Sequence, residues 1–150
     1  MGLFTAFDIC ASGMSAQRLR TDIISQNIAN ANTTRTSEGG PYRRKTVVFT
    51  EKNSQDFHNT LLSSMGLSGT SISGNGVKVS QIVEDRETEM NMVYDPSHPD
   101  ADENGYVTYP NVNVITEMTN LIDASRAYEA DVTAFNAAKA MATKGLEVGK

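Results

Sequence analysis

The sequence predicts an α+β fold: long N- and C-terminal helices paired as a coiled-coil-like hairpin, with a small β-hairpin-rich domain between them. Three observations lead there. Apolar residues recur at helical spacing near both ends of the chain. Turn-forming residues punctuate everything between. The C-terminal helical pattern is also longer than a compact chain of this size can enclose. The boundaries fall at 1–32 for the N-terminal helix, 33–112 for the β-rich middle and 113–150 for the C-terminal helix.

The N-terminal stripe runs through Phe4, Phe7, Cys10, Met14, Leu19, Ile23, Ile24 and Ile28, which is helical spacing rather than alternation. Gly13 interrupts it and marks either a kink or a close contact. Asn27, Asn30 and Asn32 crowd its end, where asparagine, tolerant of the left-handed conformation, suits a helix C-terminus.

In the middle region GGP (Gly39 to Pro41), SGTSISGNG (Ser68 to Gly76) and DPSHPDADENG (Asp95 to Gly105) separate strand-like runs. TVVFTE from Thr46 is β-branched and aromatic. GVKVSQIVED alternates imperfectly, with Val77, Val79 and Ile82 broken by Ser80. Met90, Met92 and Tyr94 lie two apart, and YVTYP follows the last turn. Two or three short hairpins forming a small sheet are expected. FHNTLLSSMG from Phe57 to Gly66 reads as a short helical turn or a mobile loop.

The C-terminal pattern is the clearest. Steps of four and three give Val114, Met118, Leu121, Ser125, Tyr128, Val132, Phe135, Lys139, Ala142 and Leu146, a heptad stripe broken only by Ser125 and Lys139. Asn113 is placed to cap the helix, and Glu117 in its first turn suits the helix dipole. Repeated alanines between Ala124 and Ala142 permit a second helix to approach closely. A helix from Val114 to Val148 is about 50 Å long, whereas a compact chain of this size is roughly 40 Å across. Pairing the two terminal helices is the simplest solution. A two-helix pair cannot bury both stripes, and the leftover apolar face points to assembly with other chains.

Composition excludes several functions. The net charge of −5 disfavours nucleic acid, and Arg43, Arg44 and Lys45, the one basic cluster, read as a solvated strand end. One cysteine, Cys10, rules out an internal disulfide and reads as a buried small residue. The two histidines, His58 and His98, carry no partner motif and are expected to be exposed. No apolar run approaches the roughly 20 residues of a membrane span, so no direct membrane insertion is expected. The N-terminus lacks the regions of a cleaved secretory signal, and MGLFTA has Ala6 where a myristoylation motif wants Ser or Thr.

The sharpest chemical candidate is DADENGYV. Asp100, Asp102, Asn104 and Gly105 match the opening of an EF-hand loop, with Val107 in its apolar position. The match fails further on. Asn111 stands where the bidentate glutamate belongs, Pro110 blocks the exit helix, and Pro96 and Pro99 block the entry helix. A type I′ turn at Asn104-Gly105, with both residues at positive φ, is the better reading. Its acids suit a neighbouring subunit or water. Ser97, His98 and Asp100 are too close in sequence for a triad. SGTSISGNG lacks a following Lys-Ser/Thr, and Glu84, Asp85, Glu87 and Glu89 read as a solvated strand edge. No catalytic constellation, metal site or cofactor is expected.

SQNIANANTTRTSEGGPYRRK resembles the N-terminal signature of the bacterial flagellar rod and hook axial proteins. YDPSHPDADENGYVTYPNVNVITEMTNLIDASRAYEADVTAFNAAKAM resembles their C-terminal signature. Many members continue the Asn-rich motif with Thr-Pro-Gly-Tyr; TTRTSEGGPYRRK instead resembles a proximal-rod branch. The resemblance carries over the motif residues Asn27, Ile28, Ala29, Asn30, Asn32, Thr33, Arg126, Tyr128 and Glu129.

It implies terminal helices packed in a tube with a β-rich part outside, and export by the flagellar type III apparatus without a cleaved signal into a rod that spans the periplasm. Partners would be other copies, neighbouring rod proteins, and adaptors beside the membrane ring and export gate. The expected assembly interface comprises Phe7, Met14, Leu19, Ile23 and Ile28 with Val114, Met118, Leu121, Tyr128, Val132, Phe135 and Leu146, meeting one another or their counterparts in neighbours. The alternative is a soluble coiled-coil interaction module whose β domain binds a peptide or ion.

Overall fold

A computed structural model describes residues 3–37, 39–52, 64–65 and 76–148. The expectations for His58, for most of Phe57 to Gly66 and for Ser68 to Asn75 fall outside these residues. The element order is α1 (Leu3–Ala29), β1 (Lys45–Glu51), β2 (Val77–Glu84), β3 (Asn91–Tyr94), β4 (Tyr106–Tyr109) and α2 (Val114–Val148). The fold is α+β, with helices at both ends flanking short antiparallel strands.

The two helices run antiparallel. The rings of Phe7 and Phe135 lie 5.0 Å apart, and Gly13 abuts Asp131. Asn27 bonds Glu117, so partners descend along α2 as they ascend along α1. A Cβ on Gly13 would come within 2.9 Å of the Asp131 carboxyl carbon, so this glycine marks a close contact. Asn113 caps α2, its Oδ1 accepting from the amides of Ile115 (3.0 Å) and Thr116 (3.2 Å). α2 outlasts the described part of α1, which is why Leu146 is 76 % exposed.

The seam of α2 is one residue out of phase with the expected stripe at alternate positions. Leu121, Phe135 and Ala142 are at least half-buried, but the intervening places belong to Glu117, Ala124, Asp131 and Ala138. Small residues at the contact let the helices close up, and the larger Met118 and Ile122 are left on a flank. On α1, Gly13 and Asn27 meet α2, while Ser12 turns to β2, its Oγ accepting from the Val77 amide at 3.1 Å. Ala16 and Ile23 share a helical face with Ser12, and α1 packs on both β1 and β2. α1 is therefore buried on two sides.

The strands form two separate two-stranded ladders rather than one sheet. In the first, Val48 opposes Gln81 while Phe49 opposes Val79. Ser80 is the extra residue of a β-bulge, which accounts for the imperfect alternation in β2. In the second, Tyr94 pairs with Tyr106 and Met92 with Thr108. Val107 points inward and is fully buried, whereas Met92 and Tyr94 are exposed on the opposite face.

Several local readings change. Among the described residues only glycines take positive φ, so Asn104 does not, and the turn is not type I′. The Asp102 carbonyl accepts from the Gly105 amide at 3.0 Å, and Asp102 Oδ1 accepts from the amides of Asn104 and Tyr106. Gly105 alone turns left-handed, at φ +81°. Asp100 pairs with Arg35 at 3.7 Å and accepts from Thr34 at 2.8 Å, so its carboxylate is used within the chain. Cys10 is half-buried, not buried. His98 is also half-buried: its Nδ1 accepts from the Asp100 amide and its ring lies against Tyr109.

A Cβ at Gly105 would lie 2.9 Å from the Tyr94 ring and would need a left-handed backbone. Gly105→Ala is expected to destabilise the hairpin by about 1–2 kcal/mol, read as a lower urea midpoint by tyrosine fluorescence.

Candidate assembly interface

Where the end of α1, the start of β1 and the start of α2 meet, the chain buries a polar node. Asn27 is fully buried and every valence of its amide is used. Its Nδ2 donates to the Lys45 carbonyl (2.8 Å) and to Glu117 Oε2 (2.9 Å). Its Oδ1 accepts from the Lys45 amide (2.9 Å) and the Tyr42 hydroxyl (2.9 Å). The side chain thus pairs with the Lys45 backbone as a neighbouring strand would.

Glu117 is 1 % exposed. Arg44 grips it through Nε at 2.9 Å and Nη2 at 2.8 Å. A buried carboxylate is tolerable only with such partners. Glu117 does lie in the first turn of α2, as expected, but it is buried as well; the reading of Arg44 as a solvated cation is corrected. Asn111, 7 % exposed, extends the node, accepting from the Arg44 amide and donating to the carbonyls of Asp85 and Thr88. Asp85 is no free strand-edge acid either. The amide and hydroxyl of Thr88, then the Glu87 amide and Arg44, hold its carboxyl below the usual carboxylate range. Burial, then Glu117 and Glu84, push the Tyr42 phenol above its ordinary value.

The node fixes the helix pair, and the pair leaves an apolar flank. Of the expected interface, Ile23 is buried; Phe7, Met14, Leu19, Ile28, Leu121, Val132 and Phe135 are half-buried. Val114, Met118, Tyr128 and Leu146 stay exposed, Met118 at 54 %. Ile115 (78 %) and Ile122 (53 %) extend the uncovered strip, and sequence reasoning missed both. The signal was available: they lie seven apart on either side of Met118. The accessible surface is 10735 Å², against about 7,500 Å² for a compact monomer of this mass.

The motif residues divide by role. Asn27 anchors the node. Asn30 ties the turn after α1, donating to the Gln26 carbonyl and accepting from the Thr33 hydroxyl, while the Thr33 carbonyl accepts from the Tyr42 amide. Ile28 is half-buried; Ala29, Asn32, Arg126 and Glu129 are exposed. No described helix is long and apolar enough to cross a membrane.

The two helices fall largely within segments that match known protein families. Residues 7–35 match the family model "Flagella basal body rod protein", and residues 103–148 match "Flagellar basal body rod FlgEFG protein C-terminal". The class is therefore that of flagellar rod proteins. A Bacillus subtilis protein named "Flagellar basal-body rod protein FlgC" is 47 % identical over the full length of both chains. Proteins of the same name from Borreliella burgdorferi (42 % identical, 99 % of this chain and 98 % of that one) and Salmonella typhimurium (37 %, full length of both) also match. The chain belongs to the FlgC family of flagellar basal-body rod proteins, a structural family and not an enzyme family.

Glu117→Ala strands Arg44 and one Asn27 donor. It is expected to cost about 3 kcal/mol, the low end for a broken buried pair because Arg44 is partly exposed, measured by urea unfolding. The Tyr42 phenol titrates later in the folded chain than in the unfolded one, where it ionises near 10.0. The folded state then holds the proton more tightly, and stability falls as pH rises past that value. Tyr42→Phe is expected to lose about 1 kcal/mol at neutral pH and to flatten the alkaline slope between about pH 9 and 11.

Proposed function

We propose that the chain is a structural subunit of the proximal rod, polymerising through α1 and α2 into the shaft that carries torque from the membrane ring to the distal rod. The observation that carries this reading is the uncovered apolar strip Ile115, Met118 and Ile122 on a helix pair whose register is locked internally. A rigid element with one apolar face left over is suited to burying that face against neighbours. Contacts of this kind in a helical tube are heterologous, the face of one subunit meeting a different face of the next, and they build a filament that does not close on itself.

Other copies, sibling rod proteins and adaptors beside the membrane ring are the partners this reading requires. Delivery by flagellar type III export, without a cleaved signal, into the periplasm-spanning rod goes with it. The β ladders lie outside the helix layer in this reading.

Met118→Asp and Ile122→Asp touch exposed positions and leave the node intact. Both are expected to abolish motility and incorporation into purified basal bodies, with the helical circular dichroism of the isolated chain unchanged. Normal rods in both variants would remove this strip from the assembly interface, and full motility after deletion of the gene would refute the rod assignment. Phe135→Asp is a poorer probe, because Phe135 stacks on Phe7 within the chain.

A further inference from the structure

Two charged features away from the helix seam are left unused by the fold. The first is a hollow of about 340 Å³ beside the start of β1, whose lining includes Tyr42, Arg43, Lys45, Glu84 and Arg86. Arg43 is exposed, and its side chain has no ion-pair or hydrogen-bond partner among the described residues. The Lys45 ammonium stands 5.8 Å from the centre of the Tyr42 ring and pairs with no carboxylate among the described residues. Arg86 meets Glu84 at 3.4 Å. Three bases therefore face one acid, a local positive excess on a chain of net charge −5. Glu87 and Glu89 follow Arg86 in sequence but do not line the hollow.

The second feature is the tip of the β3–β4 hairpin, where Asp102 and Glu103 are exposed. Asp102 holds the turn through Oδ1, and its Oδ2 has no partner among the described residues. The Glu103 carboxylate has none there either. Asp100 ties this loop to Thr34 at 2.8 Å and to Arg35 at 3.7 Å. Gly39 and Pro41 form a wall between the two features, lining the basic hollow on one side and the groove beside Asp100 and Asp102 on the other. The tip is thus held across that wall from the hollow of its own chain.

Resting on the rod reading above, we propose that the basic hollow of one copy seats the acidic hairpin tip of a second copy, with Arg43 and Lys45 receiving the carboxylates of Asp102 and Glu103. Arg43 has its whole fork of donors to offer, the geometry that takes a carboxylate through two bonds. The unspent charges match in number and oppose in sign. Every copy carries both faces and the faces differ, so each copy gives its tip to one neighbour and its hollow to another. The contact uses neither the helix seam nor the apolar strip of α2. Exposed ion pairs add little affinity singly. Their effect here is selection, because a misplaced copy sets tip against tip or hollow against hollow, with like charges opposed. A nucleic-acid occupant fits poorly, since Glu84 lines the hollow and the chain as a whole is acidic.

The test is disulfide cross-linking in purified basal bodies, in a Cys10→Ala background. One chain carries Arg43→Cys and a co-expressed chain carries Glu103→Cys. The expected product on oxidation is a dimer of the two chains, absent when either variant is expressed alone. A dimer from one variant alone, an adduct only to a different protein, or no dimer in basal bodies that contain both chains would overturn the proposal. Charge reversal reads the same contact by another route. Arg43→Glu and Glu103→Lys are each expected to lower incorporation about tenfold, with helical circular dichroism unchanged. Both changes in one chain are expected to restore it, because every reversed hollow then meets a reversed tip. A purely local role for either residue predicts no such rescue, and its failure counts against the proposal. If the parent chain is found in basal bodies while the dimer and the rescue are both missing, the rod reading stands and this inference falls.

Discussion

Burial of one carboxylate organises the molecule. Glu117 sits at 1 % exposure between a helix end and a strand start, and an ionised group there requires partners from both. Arg44 brings the charge and Asn27 brings the geometry. An aspartate at 27 would offer no donor to Glu117, and an alanine would leave the Lys45 amide without its acceptor. Because the three residues come from α1, the segment before β1, and α2, satisfying them fixes the register of the helix pair and the position of the first ladder together. Buried polar groups are well suited to setting register, a role for which apolar packing, tolerant of sliding, is poorly suited.

That division of labour explains how so small a core supports such long helices. The seam of α2 is made largely of alanine, an aspartate and the node glutamate, opposite a glycine on α1. Such a contact brings backbones close but buries little apolar area. The bulky Ile115, Met118 and Ile122 of α2 lie on the flank, where they bury little in the isolated chain. A sequence optimised for a stable monomer would place them inward; in the proposed rod assembly they are the residues available for contacts with other chains.

Much of the architecture was legible locally. The extents of both helices followed from apolar spacing and the start of α2 from Asn113, while Gly13 signalled either a kink or the close contact that is found, and the break at Ser80 showed only imperfect alternation. The phase of the helix seam was not legible, because two faces of α2 one residue apart are both largely apolar and only the small residues opposite choose between them. The node was also hidden. Asn27 and Glu117 are 90 residues apart, and Arg44 and Glu117 are 73 apart. Each has a sensible local reading, as helix end, strand end or dipole partner, that conceals the long-range one. Asn104 failed for a related reason: an Asn-Gly pair permits positive φ at both positions, but Asp102 captures the neighbouring amides and settles the turn with glycine alone.

The 90-residue separation between Asn27 and Glu117 also bears on how the chain folds. Closing a loop of that length carries an entropic penalty that must be met before any of the node's bonds form, and topologies dominated by such distant contacts fold slowly. The node cannot close until α2 has begun to emerge, however early α1 is made. Until then the N-terminal helix lacks both its polar anchor and its α2 packing partner, and in proteins most helical stability comes from such packing. The helix pair and its node are thus withheld from a partial chain. Such a chain stays pliant and threadable for as long as it is incomplete.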